Sequence, residues 1–302
     1  MSLSQFCTAE NLVWENRYAK GFHANVSGEE IHTIMRYQIP FSPDAEKIFM
    51  MKYGVEPAAR KGFYQNLARC VQQQIKTAMI LADSKVPSVL QIYHVEQERT
   101  SEGITNIYLE TDRIWPIKEK LLKDKIDRTA AITIVARLSI ILRDIAKGPH
   151  SISHRGLDID EIFVNTEDRI ILGGFYYASS PGLPAAPPYL AGKPNNLSPT
   201  HLRGEKGDAA DDIRTLSCIA WNLFSGVPME AQLPEYLNVF PQYATEDLAN
   251  ALLFGRCAKA GDSVQFRKLI SDCRKRIAKD DERSVYIPIR SQNCKHFKIQ
   301  FV

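Results

Sequence analysis

"HSISHRGLDIDEIFVNTEDRIILGGF", residues 150–175, is the stretch on which the reading of this chain turns. A polar segment leads into a short apolar run, Ile162 to Val164, followed by the charged turn Asn165 to Asp168 and a second apolar run, Arg169 to Leu172. Short β-branched runs separated by Asn and Asp make a hairpin. His154 and Arg155 stand at its entrance, and Gly173 and Gly174 close it.

Working back toward the N-terminus, "RTAAITIVARLSIILRDIAKG" (128–148) is apolar almost all round and stops at Gly148 and Pro149, the pattern of a helix buried among other helices. Residues 1–112 are richer in strand signals. "EEIHTIMRYQIP" and "EKIFMMKYG" are strand-like runs separated by "FSPDA", and this predicts a hairpin. "ARKGFYQNLARCVQQQIKTAMILADS" predicts a long helix with Leu67, Val71, Ile75 and Met79 at helical spacing. "VLQIYHVEQE" and "ITNIYLET" predict two more strands joined by "RTSEG".

Toward the C-terminus, residues 176–199 are rich in Pro, Gly, Ser and Asn, so a loop is expected there. "DDIRTLSCIAWNLFSG" predicts a helix with Asp211 and Asp212 capping its first turn. Two further helices are expected over "ATEDLANALLFGRCAKA" and "SVQFRKLISDCRKRIAK". The tail 281–302 alternates like a strand without a stop signal, which gives the expectation that the chain belongs to a longer protein.

Composition narrows the function classes. A hydrophobic content of 44% and a charged content of 24% are those of an ordinary globular chain with real cores. A net charge of +3 is too small to argue for nucleic acid. No apolar run reaches the roughly 20 residues of a membrane span, and no signal pattern opens the chain, so a cytoplasmic location is expected. The six cysteines are dispersed with no metal spacing; reduced thiols are expected, with Cys218 in a core.

A strand-rich region with one long helix, then a helical region with a hairpin at its entrance, sets a frame for individual motifs. "HRGLDIDEIFV" (154–164) resembles the protein-kinase catalytic loop HRDLKPENILL, and "RIILGGFY" (169–176) resembles VKIADFG. "DDIRTLSCIAWNLFSGVPM" is similar to the helix DVWSLGCILYELLTGKPPF, "EKIFMMK" to the strand ending VAIK, and "LSPT" (197–200) to the APE element. The chain therefore resembles a degenerate member of the protein kinase-like superfamily. The resemblance implies an α+β, bilobal, protein-kinase-like fold: a small β-rich N-lobe with one long helix (1–112) and a larger, mainly helical C-lobe (113–280), with the strand-like residues 281–302 as a C-terminal extension or tail.

Kinase chemistry needs a base to orient the substrate hydroxyl, an Asp and an Asn to hold magnesium, and a Lys paired with a helix Glu. By resemblance, Gly156 stands at the base position, Asp158 at the catalytic-loop lysine and Glu161 at the asparagine. Gly174 stands at the metal-binding aspartate and Lys52 at the phosphate-binding lysine, while the helix offers Thr77, with Gln72, Gln73 and Gln74 a turn earlier. No GxGxxG occurs; only "NVSGEE" precedes the second strand. His154, Arg155 and Asp212, which tie the loop to the helical core in this family, are kept. The resemblance thus implies a pseudokinase: a catalytically inactive, cytoplasmic signalling module that binds another protein as an interaction or regulatory scaffold. No cofactor and no metal are expected, ATP being doubtful without its ligands, and no nucleic-acid partner. The alternative is an atypical enzyme of kinase fold, with non-standard phosphoryl- or nucleotidyl-transfer activity carried by Lys52, Asp158 and Glu161.

Overall fold

Five strands, β1 (Leu12–Glu15), β2 (Ala19–Asn25), β3 (Ile31–Ile39), β4 (Ile92–Arg99) and β5 (Thr105–Thr111), pair antiparallel in the order β1-β2-β3-β5-β4. The computed structural model describes residues 2–26, 28, 30–119, 128–184, 190, 207–225, 246–259 and 261–279. The expected strand tail 281–302 and the "LSPT" element lie outside them, as does most of the loop 176–199. The architecture is α+β, with a β-sheet N-terminal region and a helical C-terminal part. Among the described residues no helix is long and apolar enough to cross a membrane.

The chain divides into two compact units. The first comprises Met1–Ile117, Asp160–Tyr177 and Leu183–Gly192, so the hairpin quoted at the outset groups with the sheet. That hairpin is β7 (Ile162–Asn165) and β8 (Ile170–Leu172), extended by β6 (Ile114–Pro116) into a three-stranded sheet. Period-two alternation decides the faces of β3: Met35 and Tyr37 join one apolar cluster with Leu109 and Ile107, while Ile34 joins Phe22, Tyr108 and Leu3 on the other side.

Three expectations are corrected in this unit. The predicted strand "EKIFMMKYG" is a helix, α1 (Pro43–Tyr53): Pro43 sits in its first turn with Asp44 and Glu46, and Gly54, at φ 62°, ends it in the left-handed region. A four-residue apolar run cannot distinguish strand from helix by periodicity, and Ser-Pro-Asp starts a helix as readily as a turn. "NVSGEE" falls between β2 and β3 in the chain and not before the second strand, since β1 and β2 both precede its end. The long helix α2 (Arg60–Asp83) has the expected bounds, but its buried stripe runs Phe63, Leu67, Cys70, Val71, Gln74, Ala78 and Leu81, and Met79 is exposed. A strict four-residue repeat advances about 40° per step on a 3.6-residue helix, so residues counted that way rotate off the face.

The second unit comprises Lys118–Ile159, Ala178–Gly182 and Lys193–Val302. Helix α3 (Arg128–Lys147) packs on α4 (Ala209–Ser225) and α6 (Ser263–Lys279), and α5 (Glu246–Arg256) packs on both α4 and α6. Cys218 is fully buried in α4, and burial pushes its thiol up to about 11, so it is a core residue and not a nucleophile at neutral pH.

The start of α4 differs from the capping expected of Asp211 and Asp212. Asp208 accepts from the Ala210 N–H at 2.8 Å, and Asp211 returns the favour by accepting from the Asp208 N–H at 3.1 Å. Asp212 turns away from its own helix. Its Oδ2 accepts from the His154 N–H at 2.8 Å and its Oδ1 from the Arg155 N–H at 2.7 Å. One carboxylate thereby fixes the backbone of the loop at a point where Arg155 adopts φ 63°. Burial pushes the Asp212 carboxyl up to about 7, against the pull of the two N–H donors.

Because the folded state holds this proton more tightly than the unfolded chain, its contribution weakens folding as pH rises from about 4 to about 7. Denaturant unfolding at about pH 4.5 and about pH 8 is expected to show a larger stability loss in the native protein than in Asp212→Asn, which cannot ionise. Asp212→Ala, leaving two buried N–H groups unmatched, is expected to cost about 2–5 kcal/mol at either pH.

Candidate functional site

In the first unit, the candidate site is the slot between the five-stranded sheet and the β7–β8 hairpin. It is filled by the protein's own side chains. Trp14 follows a register shift in β1 and sits directly opposite Gly21 of β2. A β-carbon on Gly21 would lie 2.0 Å from the indole, so only glycine admits the ring here. Across the slot, Phe163 of β7 packs on the indole with centroids 5.6 Å apart. The indole N–H donates to the Ile114 carbonyl at 3.2 Å. His23 Nε2 lies 3.1 Å from the same oxygen, and burial lowers the pKa of that ring, favouring the neutral form. The Ile114 N–H in turn donates to Thr33 Oγ1 at 2.9 Å. Both lone pairs of this carbonyl thus have donors, and both polar groups of Ile114 are engaged.

The β1–β2 turn closes the slot further along. Asn16 Oδ1 accepts from the N–H groups of Tyr18 and Ala19 at 3.1 and 2.8 Å, folding the turn on itself. Asn16 Nδ2 reaches Glu161 Oε1 at 3.4 Å, and Arg17 pairs with Asp160 at 3.5 Å. Behind the turn, Tyr18 is buried and meets the ring of Tyr176 edge-on at 5.7 Å.

A directional chain of hydrogen bonds crosses the floor. Gln74 Nε2 of α2 donates to the Tyr37 hydroxyl at 2.9 Å, the Tyr37 and Tyr176 hydroxyls lie 3.1 Å apart, and Tyr176 donates to Glu161 Oε1 at 3.2 Å. Since Tyr176 spends its proton on Glu161, Tyr37 supplies the bond between the two phenols. Burial first, and the Glu161 charge second, push both phenols well above the ordinary tyrosine range, so they stay protonated. Gly174 sits over Glu161 at φ 72°; a β-carbon there would lie 2.4 Å from Glu161 Cβ.

The residues singled out in the sequence separate between the units. Glu161 and Gly174 come together in the first, through the packing just described. Gly156 lies in the second unit, buried, its N–H donating to His154 Nδ1 at 3.3 Å. Lys52 lies exposed near the end of α1 and not at a strand end. Thr77 is buried and donates back to the Gln73 carbonyl at 2.8 Å. Asp158 and Asp160 are both buried. Among the described residues no group of three or more His, Cys, Asp or Glu side chains is gathered as for a metal.

Trp14, Tyr18 and Tyr37 were not singled out. For Trp14 the only signal in the sequence is a tryptophan and a glycine in neighbouring strands, which has meaning only once their register is known. A scan against known protein-family models found no match, and a search of curated proteins found none.

Placing a carboxylate at position 174, just after β8, is expected to fail for steric reasons. Gly174→Asp forces both a left-handed backbone and a clash with Glu161, and is expected to lose about 2–4 kcal/mol in urea unfolding. A variant as stable as the native protein would mean that Glu161 does not occupy the space beside Gly174.

Proposed function

We propose that this chain is a kinase-like domain whose nucleotide slot is occupied from within, and that it works as a protein-binding or regulatory scaffold and not as a phosphotransferase. One observation carries the reading: the Trp14 indole lies between Gly21 and Phe163, whose ring is tilted 44° to it, with its N–H on the Ile114 carbonyl. Apolar walls with a backbone acceptor are what a heteroaromatic base requires of a pocket, and here an indole uses both.

The five-stranded antiparallel sheet with one long helix, followed by helices, is in keeping with the bilobal fold that the motifs imply. Kinases pair a lysine of β3 with a glutamate of the following long helix to hold phosphates. On this chain's β3 the residue that bonds to α2 is Tyr37, and its partner is Gln74. Two neutral side chains of matched shape keep strand and helix in register but offer a triphosphate no charge. Glu161 and Gly174 supply one acid and no second metal ligand at the hairpin. The loss of catalytic groups leaves a folded body with exposed apolar side chains, among them Ile48 at 67% and Met51 at 76% exposure on α1, suited to contact with another protein.

Calorimetric titration with ATP, with and without magnesium or manganese, is expected to give no binding and no thermal shift. A saturable shift in the native protein that is abolished by mutating Lys52 would instead support the nucleotide-transferring alternative and overturn the scaffold reading. Trp14→Ala is expected to cost about 3–5 kcal/mol, as a large buried ring is lost.

A further inference from the structure

A groove of about 310 Å3 opens in the first unit on the other side of the β1–β2 turn from the Trp14 slot. Its walls are the turn itself, the end of β3 and the face of α1. Tyr18, Phe41 and Phe49 give it aromatic surface, and Ile48 stands at its α1 wall. Its charges are one-sided: Arg17, Lys20, Arg36 and Lys52 against the single carboxylate of Glu15.

One of these cations, Arg36, meets like charge that no ion pair of its own offsets among the described residues. Lys20 of β2 and Arg36 of β3 are direct cross-strand partners, so two like charges face each other on one side of the sheet. Glu15 pairs with Lys20 at 3.2 Å, and Asp160 pairs with Arg17. Arg36 forms no ion pair among the described residues. Its guanidinium lies 5.1 Å from the centre of the Phe22 ring, and its Nε is enclosed without an acceptor. A half-buried guanidinium with one donor unmatched, set opposite another cation, is stabilised by any oxyanion that reaches it. Ser42 also lines the groove, and its hydroxyl makes no capping bond to α1.

We infer that this groove binds a small organic phosphate, with the phosphate between Arg36 and Lys20 and an apolar body against Phe41 and Phe49. A dianion suits a lining that carries four cations and one carboxylate. The volume suits a compact molecule. This site goes beyond the scaffold reading above and does not depend on it.

Phenyl phosphate is the probe, titrated into the full chain by calorimetry and read in parallel by thermal shift. Saturable binding is expected, at least about tenfold tighter than inorganic phosphate or benzoate, and weakening as salt is raised. Arg36→Gln is expected to lower affinity about tenfold or more while keeping the native circular dichroism spectrum. Should loss of the Phe22 contact destabilise that variant, Ile48→Glu tests the same groove from an exposed position by adding like charge, with the same loss expected. Absence of saturable binding, affinity unchanged in both variants, or inorganic phosphate binding as tightly as phenyl phosphate would each overturn the assignment.

Discussion

The first unit depends on a single steric permission, the absence of a side chain at Gly21. Because no β-carbon stands there, the Trp14 indole can lie flat on the backbone of β2, and because it lies flat its N–H reaches the Ile114 carbonyl. That bond ties the edge of the five-stranded sheet to the strand that begins the three-stranded one, and Phe163 then has a ring to pack against. Tryptophan suits this place because it joins a large apolar face to one donor, and a buried donor needs an acceptor. An empty slot of this size would forfeit the dispersion contacts on both walls, so filling it contributes to stability whatever else it does.

Further along, the same unit replaces ionic chemistry by neutral hydrogen bonding. A lysine and a glutamate buried together must recover several kcal/mol of desolvation per ion through their mutual attraction and their remaining hydrogen bonds. Tyr37 and Gln74 span such a gap with neutral groups: the Tyr37 hydroxyl is bonded on both sides, while Gln74 donates through its Nε2 and leaves its buried Oε1 without a donor among the described residues. The relay ends on Glu161, whose carboxylate collects donors from Tyr176 and Asn16. Gly174 follows from this, since the Glu161 side chain fills the volume any β-carbon there would need. The glycine at 174 and the position of the Glu161 side chain are two aspects of one packing solution.

What could be read from sequence follows the range of each interaction. Helices α2, α3, α4 and α6 and the β7–β8 hairpin were legible because their signals are local: apolar period, stop residues and turn residues within a few positions. The helix α1 was misread as a strand because the run Ile48 to Met51 is too short to show a period. At the site, Gly156, Glu161 and Gly174 could be picked out by their place in a motif, but their roles could not. That Gly174 is enforced by Glu161, that Tyr37 meets Gln74, and that Trp14 lies over Gly21 all depend on strand register and on partners up to 139 residues apart, as with Tyr37 and Tyr176. No local pattern encodes these pairings. Asp212 differs: its helix was evident from the local pattern, and its tie to the His154–Arg155 loop was expected through the resemblance alone, since no local pattern encodes it.

The helical unit shows a restraint that is indifferent to the side chains of the loop it holds. Asp212 holds the loop through backbone N–H groups, and a backbone donor is present whatever side chain the loop residue carries. Substitution at 156 or 158 therefore leaves that anchor untouched. In the first unit the constraints are of the other kind, acting on side-chain volume at positions 21, 161 and 174, where one change demands a matching change in its neighbour. Catalytic side chains add nothing to the first sort of restraint and compete for space in the second. Here that space is taken by rings: Trp14, Tyr18 and Tyr176 are all buried, and Tyr18 meets Tyr176 edge-on.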